Sequence, residues 1–346
     1  MNKWRRYLYL VVDNVNGTYP LRRIDASTLF YPRDDGFKRP PRLQETPLPH
    51  PHLHFTPSRT KDGKGALEFF GFFGRGQKKS LLAAVDYKGF SLTYDAEDRT
   101  IHGIVSPNEP KHRNPVSLAV GEALYVMDRE PVPGSCCGFE ALTFDMPKEV
   151  MGKLGWDWYW HCLKAPPFVL EPGYNNTSIQ GYTVVGGFNI WISTRGIGTY
   201  SFDTDNGSWS KAGDWELPFH GRADFFPEHG IWLGFSSQGN LLYSSDLGVS
   251  MQCKPELDMI WKDLSPLEEW IPLKSHLVHL GSDKFCVARM FERVDMTIRG
   301  SIPHVERFAI FTGLVLQPSR DGKEPEMVNH ISRIYRFHGI TTCWVF

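Results

Sequence analysis

The chain has no apolar run near the roughly 18 residues that a membrane-spanning helix needs. Its early patch at residues 7–12, YLYLVV, is cut short by Asp13. A basic start precedes that patch but no small-residue cleavage site follows it, so it reads as a strand rather than a leader. No membrane association is expected. Charge of one sign is also missing: 38 basic residues against 39 acidic ones give −1, which leaves no global electrostatic footprint for nucleic acid. The six cysteines, at 136, 137, 162, 253, 286 and 343, include no C-x-x-C pair and have no His at finger spacing, which excludes a zinc finger and a dithiol redox motif. Reduced thiols in a cytoplasmic or nuclear protein are expected, and the vicinal Cys136 and Cys137 could bridge each other only with strain. With no secretory signal, the N-x-[ST] triplets at Asn175, Asn176 and Asn206 read as chance matches. Helical patterning is nearly absent, with short candidates only at 148–154 and 265–270.

What the chain does have is aromatic residues at 14%, 32 Gly and 25 Pro, a composition suited to many short strands joined by tight turns. Residues 182–222 pack a four-stranded unit into about forty residues: YTVV, a Gly186-Gly187 turn, IWIS, a turn with Gly196 and Gly198, TYSF, then a strand opened by Trp209. Weaker copies recur along the chain, each anchored by a third strand that ends in Asp: Asp25, Asp95, Asp145, Asp203 and, degenerately, Asp246. That Asp is expected to accept hydrogen bonds from the turn that follows it. The ends are complementary. The chain opens on what matches the second and third strands of a unit, and ITTCWVF (340–346) is an orphan strand able to supply the missing one. Pairing the termini in one sheet would remove exposed edges and give six units. The expected fold is therefore all-β, a β-propeller of six blades forming a single domain over 1–346. The Pro-rich stretch 39–57 is expected to be an extended excursion between blades with no sheet ladder. Two stacked β-sandwiches would also give alternating strands, but would not explain the repeated Asp or the complementary ends.

The segment 202–222 resembles a kelch repeat in Phe202-Asp203, Asn206, Trp209, Leu217-Pro218 and Arg222. From RRYLYLVVDN through YSFDT and DWELPFHGRA to the closing CWVF, the chain is similar to the grass-expanded plant family of kelch-like proteins, catalogued as domain of unknown function sixteen-sixty-eight. That resemblance implies a propeller and brings no known activity and no catalytic residues. Kelch adaptors of ubiquitin ligases usually carry an F-box or BTB domain ahead of the propeller; strand residues begin here within ten positions of Met1, so a self-contained ligase adaptor is not expected.

The motifs that might carry chemistry fail on their details. The spacing of Gly71 and Gly76 fits a phosphate loop, but Gln77 stands where Lys is needed and no helix follows. Asp203, Asp205 and Gly207 have the look of a calcium loop, yet Ser208 occupies its obligatory Gly position and a D-N-G turn explains them. His50, His52 and His54 would project on one side of a strand without a nearby fourth ligand, and Pro49 and Pro51 favour a loop. Trp156, Trp158 and Trp160 alternate, and packing between blades is the favoured reading.

No cofactor and no metal is therefore expected. The leading expectation is a non-catalytic module that holds a protein partner with one face of loops, at 86–89, 111–114, 128–138, 194–198, 220–222 and 236–239. Arg195, Arg222, Arg129, His220, Arg113 and Lys88 would make that face basic and suit an acidic peptide, with His112 beside them. The alternative is an enzyme or small-molecule binder with its site at a central channel.

Overall fold

The computed structural model describes residues 4–14, 16–32, 42–59, 66–76, 79–146, 155–236, 241–248, 255–261, 269–295, 304–317, 326–337 and 342–346. Among these there is no α-helix, and only two single 3-10 turns interrupt the strands, at Ala26–Leu29 and Pro167–Leu170. The candidate helix at 148–154 lies outside the described residues, as does most of the one at 265–270 and of the loop at 236–239. The chain divides into two compact units. The first holds 1–56, 238–243 and 258–346, and the second holds 57–237 and 244–257.

The first unit begins with β1 (Tyr7–Val12), β2 (Tyr19–Asp25), β3 (Arg42–Glu45) and β4 (Leu53–Phe55). The second unit then contributes β5 (Leu67–Phe73), β6 (Leu81–Asp86), β7 (Ser91–Asp95) and β8 (Thr100–Ile104), which form one antiparallel four-stranded sheet in that order. β9 (Val116–Val120), β10 (Ala123–Met127), β11 (Phe139–Asp145) and β12 (Asp157–Cys162) form the next. β13 (Ile179–Val185), β14 (Asn189–Thr194), β15 (Gly198–Asp203) and β16 (Ser208–Gly213) follow the same meander, with β17 (Gly221–Phe226) and β18 (Ile231–Phe235) beyond them. β19 (Leu242–Ser245) runs across the division. The remainder belongs to the first unit: β20 (Asp258–Trp261), β21 (Ile271–Gly281), β22 (Lys284–Asp295), β23 (His304–Gln317), β24 (Glu326–Phe337) and β25 (Cys343–Val345).

In the second unit the opening strands of successive sheets lie side by side. β5 packs by β9 and β9 by β13, while β13 pairs in parallel with β17, with Tyr182 opposite Arg222. The sheets bury their facing surfaces: Phe139, Phe168, Ile190 and Phe202 in one cluster, Phe70, Phe73, Leu142 and Trp158 in another. Burying each such side chain contributes roughly 1.5–3 kcal/mol. Gly181 is required where β13 meets the chain before β17, because a Cβ there would sit 2.5 Å from the Phe219 carbonyl oxygen.

The Asp anchors behave as the pattern requires. Asp203 accepts from the backbone of Asp205 and Asn206 and from the Asn206 amide. Asp95 accepts from Glu97 and Asp98, Asp25 from Ser27, and Asp246 from Gly248. Asp145 instead accepts from Thr143 and lies 2.8 Å from His161, the turn after it falling outside the described residues. Asp203, Asp95 and Asp25 tighten their turns because two or more donors would otherwise need water, and Asp246 does the same for the single Gly248 nitrogen.

The terminal pairing is present in the first unit. β25 runs antiparallel to β1, with Leu10 opposite Val345 and Val12 opposite Cys343, and reciprocal backbone bonds join Tyr9 and Phe346. The Pro-rich stretch corrects the expectation of a ladder-free excursion: β4 pairs antiparallel with β2, and β3 pairs in parallel with β24. Both short strands contain no proline. Pro47, Pro49 and Pro51 fall between them, and each strand pairs on one side only, so proline's missing donor is never called on.

Candidate functional site

Within the second unit a cavity of about 430 Å3 opens between three segments. β5 and β6 supply Phe70 and Val85, the β6–β7 turn supplies Asp86 and Tyr87, and the link ahead of β9 supplies residues 110–113. Two of the loops expected to carry function, 86–89 and 111–114, thus meet at one depression.

Buried acids fix both loops. Asp86, only 4% exposed, ends β6 and accepts from the backbone nitrogens of Ser58, Lys88 and Phe90 at 2.8–3.0 Å, so its charge is spent holding the turn. Glu140 on β11 is fully buried and accepts from both the backbone nitrogen and the side-chain amide of Asn108. It also pairs with the Lys111 ammonium, which donates in addition to the carbonyl oxygens of Glu109 and Cys137, each at 2.7 Å. One residue further on, Asp128 accepts from the His112 backbone at 2.8 Å and lies 3.1 Å from its ring Nδ1. A carboxylate taken out of water is tolerated only with such a full set of donors. The link is consequently pinned at three successive points and the depression is preformed.

What remains outward is basic and aromatic. Arg113 is exposed at the rim and has no hydrogen-bond partner among the described residues. Lys88 is exposed; its ammonium donates to the Arg59 carbonyl oxygen at 3.1 Å and lies 5.8 Å from the Tyr87 ring centroid. Phe90, two residues on, is 62% exposed. Arg195 stands exposed on the β14–β15 turn. The other three expected residues gather elsewhere in the unit, around Tyr182. Arg222 pairs with Asp224 at 2.7 Å, and Arg129 lies over the Tyr182 ring at 5.8 Å while donating to the carbonyls of Asn114 and Ile179. Burial, and then the Arg129 charge, hold the His220 imidazole below its ordinary pKa, so it is mainly neutral at pH 7.

The cysteines correct the expectation of free thiols. Cys137 and Cys162 form a disulfide with their Cα atoms 4.8 Å apart, whereas Cys136 remains free and exposed. Cys137 lies two residues before the start of β11, Cys162 ends the neighbouring β12, and antiparallel pairing brings together these cysteines 25 residues apart. Only the register of the two strands reveals this; the spacing in the chain does not. Glu140 lies with the two sulfurs in a group of metal-capable atoms within 4.8 Å of one another. The sulfurs are bonded to each other and the carboxylate already holds an ammonium, so the group does not fit a cation. His50, His52 and His54 are exposed and gather no metal-capable group among the described residues.

Of the alternating tryptophans, Trp158 and Trp160 are buried between sheets, Trp158 edge-on to Phe73 at 4.9 Å. Trp156 precedes β12, is 64% exposed and stacks on Phe144. The acids that shape the depression went unremarked in the sequence. Glu140 had a signal, being a lone charge in FEALTF, and Asp86 another, closing a buried run just before a glycine turn.

These features define an all-β protein of meandering four-stranded sheets with a loop-lined depression whose lining includes His112, paired with Asp128. The chain belongs to the family described as "Protein of unknown function (DUF1668)", whose pattern spans residues 5–335. No curated protein matches it. Among solved structures it is similar to the Pseudomonas aeruginosa periplasmic gluconolactonase PpgL, at 12% identity over 98% of this chain and 99% of that one, with a TM-score of 0.40. It is similar also to the β-propeller domain of Cps50 (Swd1) from Myceliophteria thermophila, at 13% identity over 68% and 80% of the two chains, with a TM-score of 0.33. An auxiliary nutrient binding protein from Bacteroides ovatus matches at 8% identity over 76% of this chain and 64% of its own, with a TM-score of 0.38. At such scores nothing of what those proteins do carries over.

Proposed function

We propose that the chain is a kelch-like propeller of six blades that acts as a non-catalytic protein-binding module, holding an acidic peptide segment on one loop face. The observation that carries this reading is the preformed depression of about 430 Å3. Of the charged residues that line it, Asp86 and Lys111 are consumed by internal partners and Glu68 stands on β5, while Arg113 is exposed at the rim and Lys88 and Phe90 are exposed on the adjoining β6–β7 turn. An apolar patch of Ala66, Phe70 and Val85 beside Tyr87 and the exposed Arg113 suits a short peptide that buries one apolar side chain and presents carboxylates around it. The order of the strands, in successive groups of four with β25 returning to β1, supports the six-blade arrangement. Arg195, exposed on the β14–β15 turn, extends the same reading to a further loop, with Arg129, His220 and Arg222 on loops already tied to internal partners.

The test is binding of a fluorescent Asp/Glu-rich peptide library by the wild type and by Arg113→Ala combined with Lys88→Ala. Peptides selected by the wild type should bind the double variant at least about tenfold more weakly and lose affinity as salt rises. Equal affinity for both proteins, or selection of uncharged sequences, would remove this face as the site.

A further inference from the structure

The outer edges of the sheets in the second unit are not protected alike. β8, β12 and β16 each end a sheet with one side unpaired. β12 carries Asp157 and β16 carries Lys211, charges of the kind that keep an open edge from joining another strand. β8, TIHGI, has no acidic residue, no lysine or arginine and no proline, and its first four residues are exposed, Ile101 by 49%. Ile104 alone turns inward, against the cluster that holds Phe70 and Trp158.

The strand register shows which groups that edge offers. The Asp86 nitrogen donates to the Phe90 carbonyl oxygen across the β6–β7 turn, so the alternate residues Leu92 and Tyr94 also bond towards β6. Ser91, Thr93 and Asp95 then bond towards β8, opposite Ile104, His102 and Thr100. The peptide groups of Ile101 and Gly103 consequently face outward, with no hydrogen-bond partner among the described residues. Gly103 is not demanded by its own chain: its φ is not positive, and a Cβ there would meet nothing within 4 Å. A glycine inside a strand weakens it, and close approach of another backbone is a reason to keep one.

We propose that β8 is a docking edge for a second copy of the chain, the two strands joining antiparallel about a two-fold axis at His102. In that register Ile101 of each copy lies opposite Gly103 of the other, a pair that exchanges both of its N–H···O bonds through the groups that face outward. Each Ile101 side chain covers the bare Gly103 across from it, His102 meets its own counterpart, and Thr100 meets Ile104. The exposed Glu97 and Asp98 of the preceding turn fall opposite Pro107 and Ser106, so no carboxylate is set against another. An edge without charge gives a charged peptide no complement, whereas its own sequence fits itself. The join is small and the dimer correspondingly weak. No residue of β8 lines the peptide-binding depression, so the two surfaces stand or fall separately.

The test is sedimentation velocity of the full chain from about 1 μM to about 500 μM, over which the wild type should pass from monomer towards dimer. Ile101→Lys should weaken the association at least about tenfold with the Tm of the monomer unchanged, since that side chain is exposed. Leu170→Lys, at an apolar position 75% exposed elsewhere in the unit, should associate as the wild type does. In a Cys136→Ser background, His102→Cys should give a disulfide-linked dimer under mild oxidation, because facing Cα atoms at a non-hydrogen-bonded position lie about 4.5 Å apart, within reach of a disulfide. Thr100→Cys should not. A chain that stays monomeric throughout, a dimer undiminished by Ile101→Lys, or cross-linking of Thr100→Cys as fast as that of His102→Cys would each overturn the proposal.

Discussion

Replacing Lys111 by Met tests how the link over the depression is held. The Lys111 side chain is 2% exposed and its partner Glu140 is 0% exposed, so the substitution leaves a buried carboxylate without its counter-charge. Breaking such a pair on one side costs about 3–5 kcal/mol. Asn108 still donates twice to Glu140, which places the expected loss near the lower end, about 3 kcal/mol. For a unit of this size each kcal/mol moves the midpoint by about 2–4 °C, so thermal unfolding followed by circular dichroism should show a fall of about 6–12 °C. Adding Glu140→Gln removes the orphan charge while keeping an acceptor for Asn108, and the double variant should recover at least about 1 kcal/mol relative to Lys111→Met alone. A single variant within about 2 °C of the wild type, or a double variant no better than the single one, would refute the reasoning.

Two further outcomes follow from the strand pairings. Deleting residues 343–346 removes β25 and the buried Trp344 and Val345, each worth roughly 1.5–3 kcal/mol; the shortened protein should melt far lower or be insoluble, and an unchanged Tm would show that the tail contributes nothing. Cys137→Ser should lower stability by about 2–4 kcal/mol under oxidising conditions and make urea unfolding insensitive to added dithiol, whereas a reductant effect equal to that of the wild type would place the disulfide elsewhere.

Much of the fold can be read from periodicity alone. The alternation in YTVV, IWIS and TYSF, the glycines between them and the Asp closing the third strand are local properties, and a tight turn with a side-chain acceptor forms whatever surrounds it. The orphan strand at the C-terminus was legible for a similar reason, since an unpaired apolar edge has to be covered and only an incomplete sheet at the N-terminus was open. The short strands around the prolines were not legible. Leu53 to Phe55 carries no pattern of its own and becomes a strand only because β2 offers it a free edge.

The site divides along the same line. Sequence identified loops and the basic residues on them, because turn chemistry and charge are written residue by residue. It could not show that Lys111 is neutralised by Glu140 while Arg113 is free, or that Cys137 finds Cys162. Each depends on the register between strands far apart in the chain, which is set by the packing of whole sheets. The sequence by itself determined the strands, their turns and the absence of a familiar catalytic motif. The tertiary structure alone decided which charges are spent internally and which are left for a ligand, because desolvation and pairing exist only once distant strands lie together.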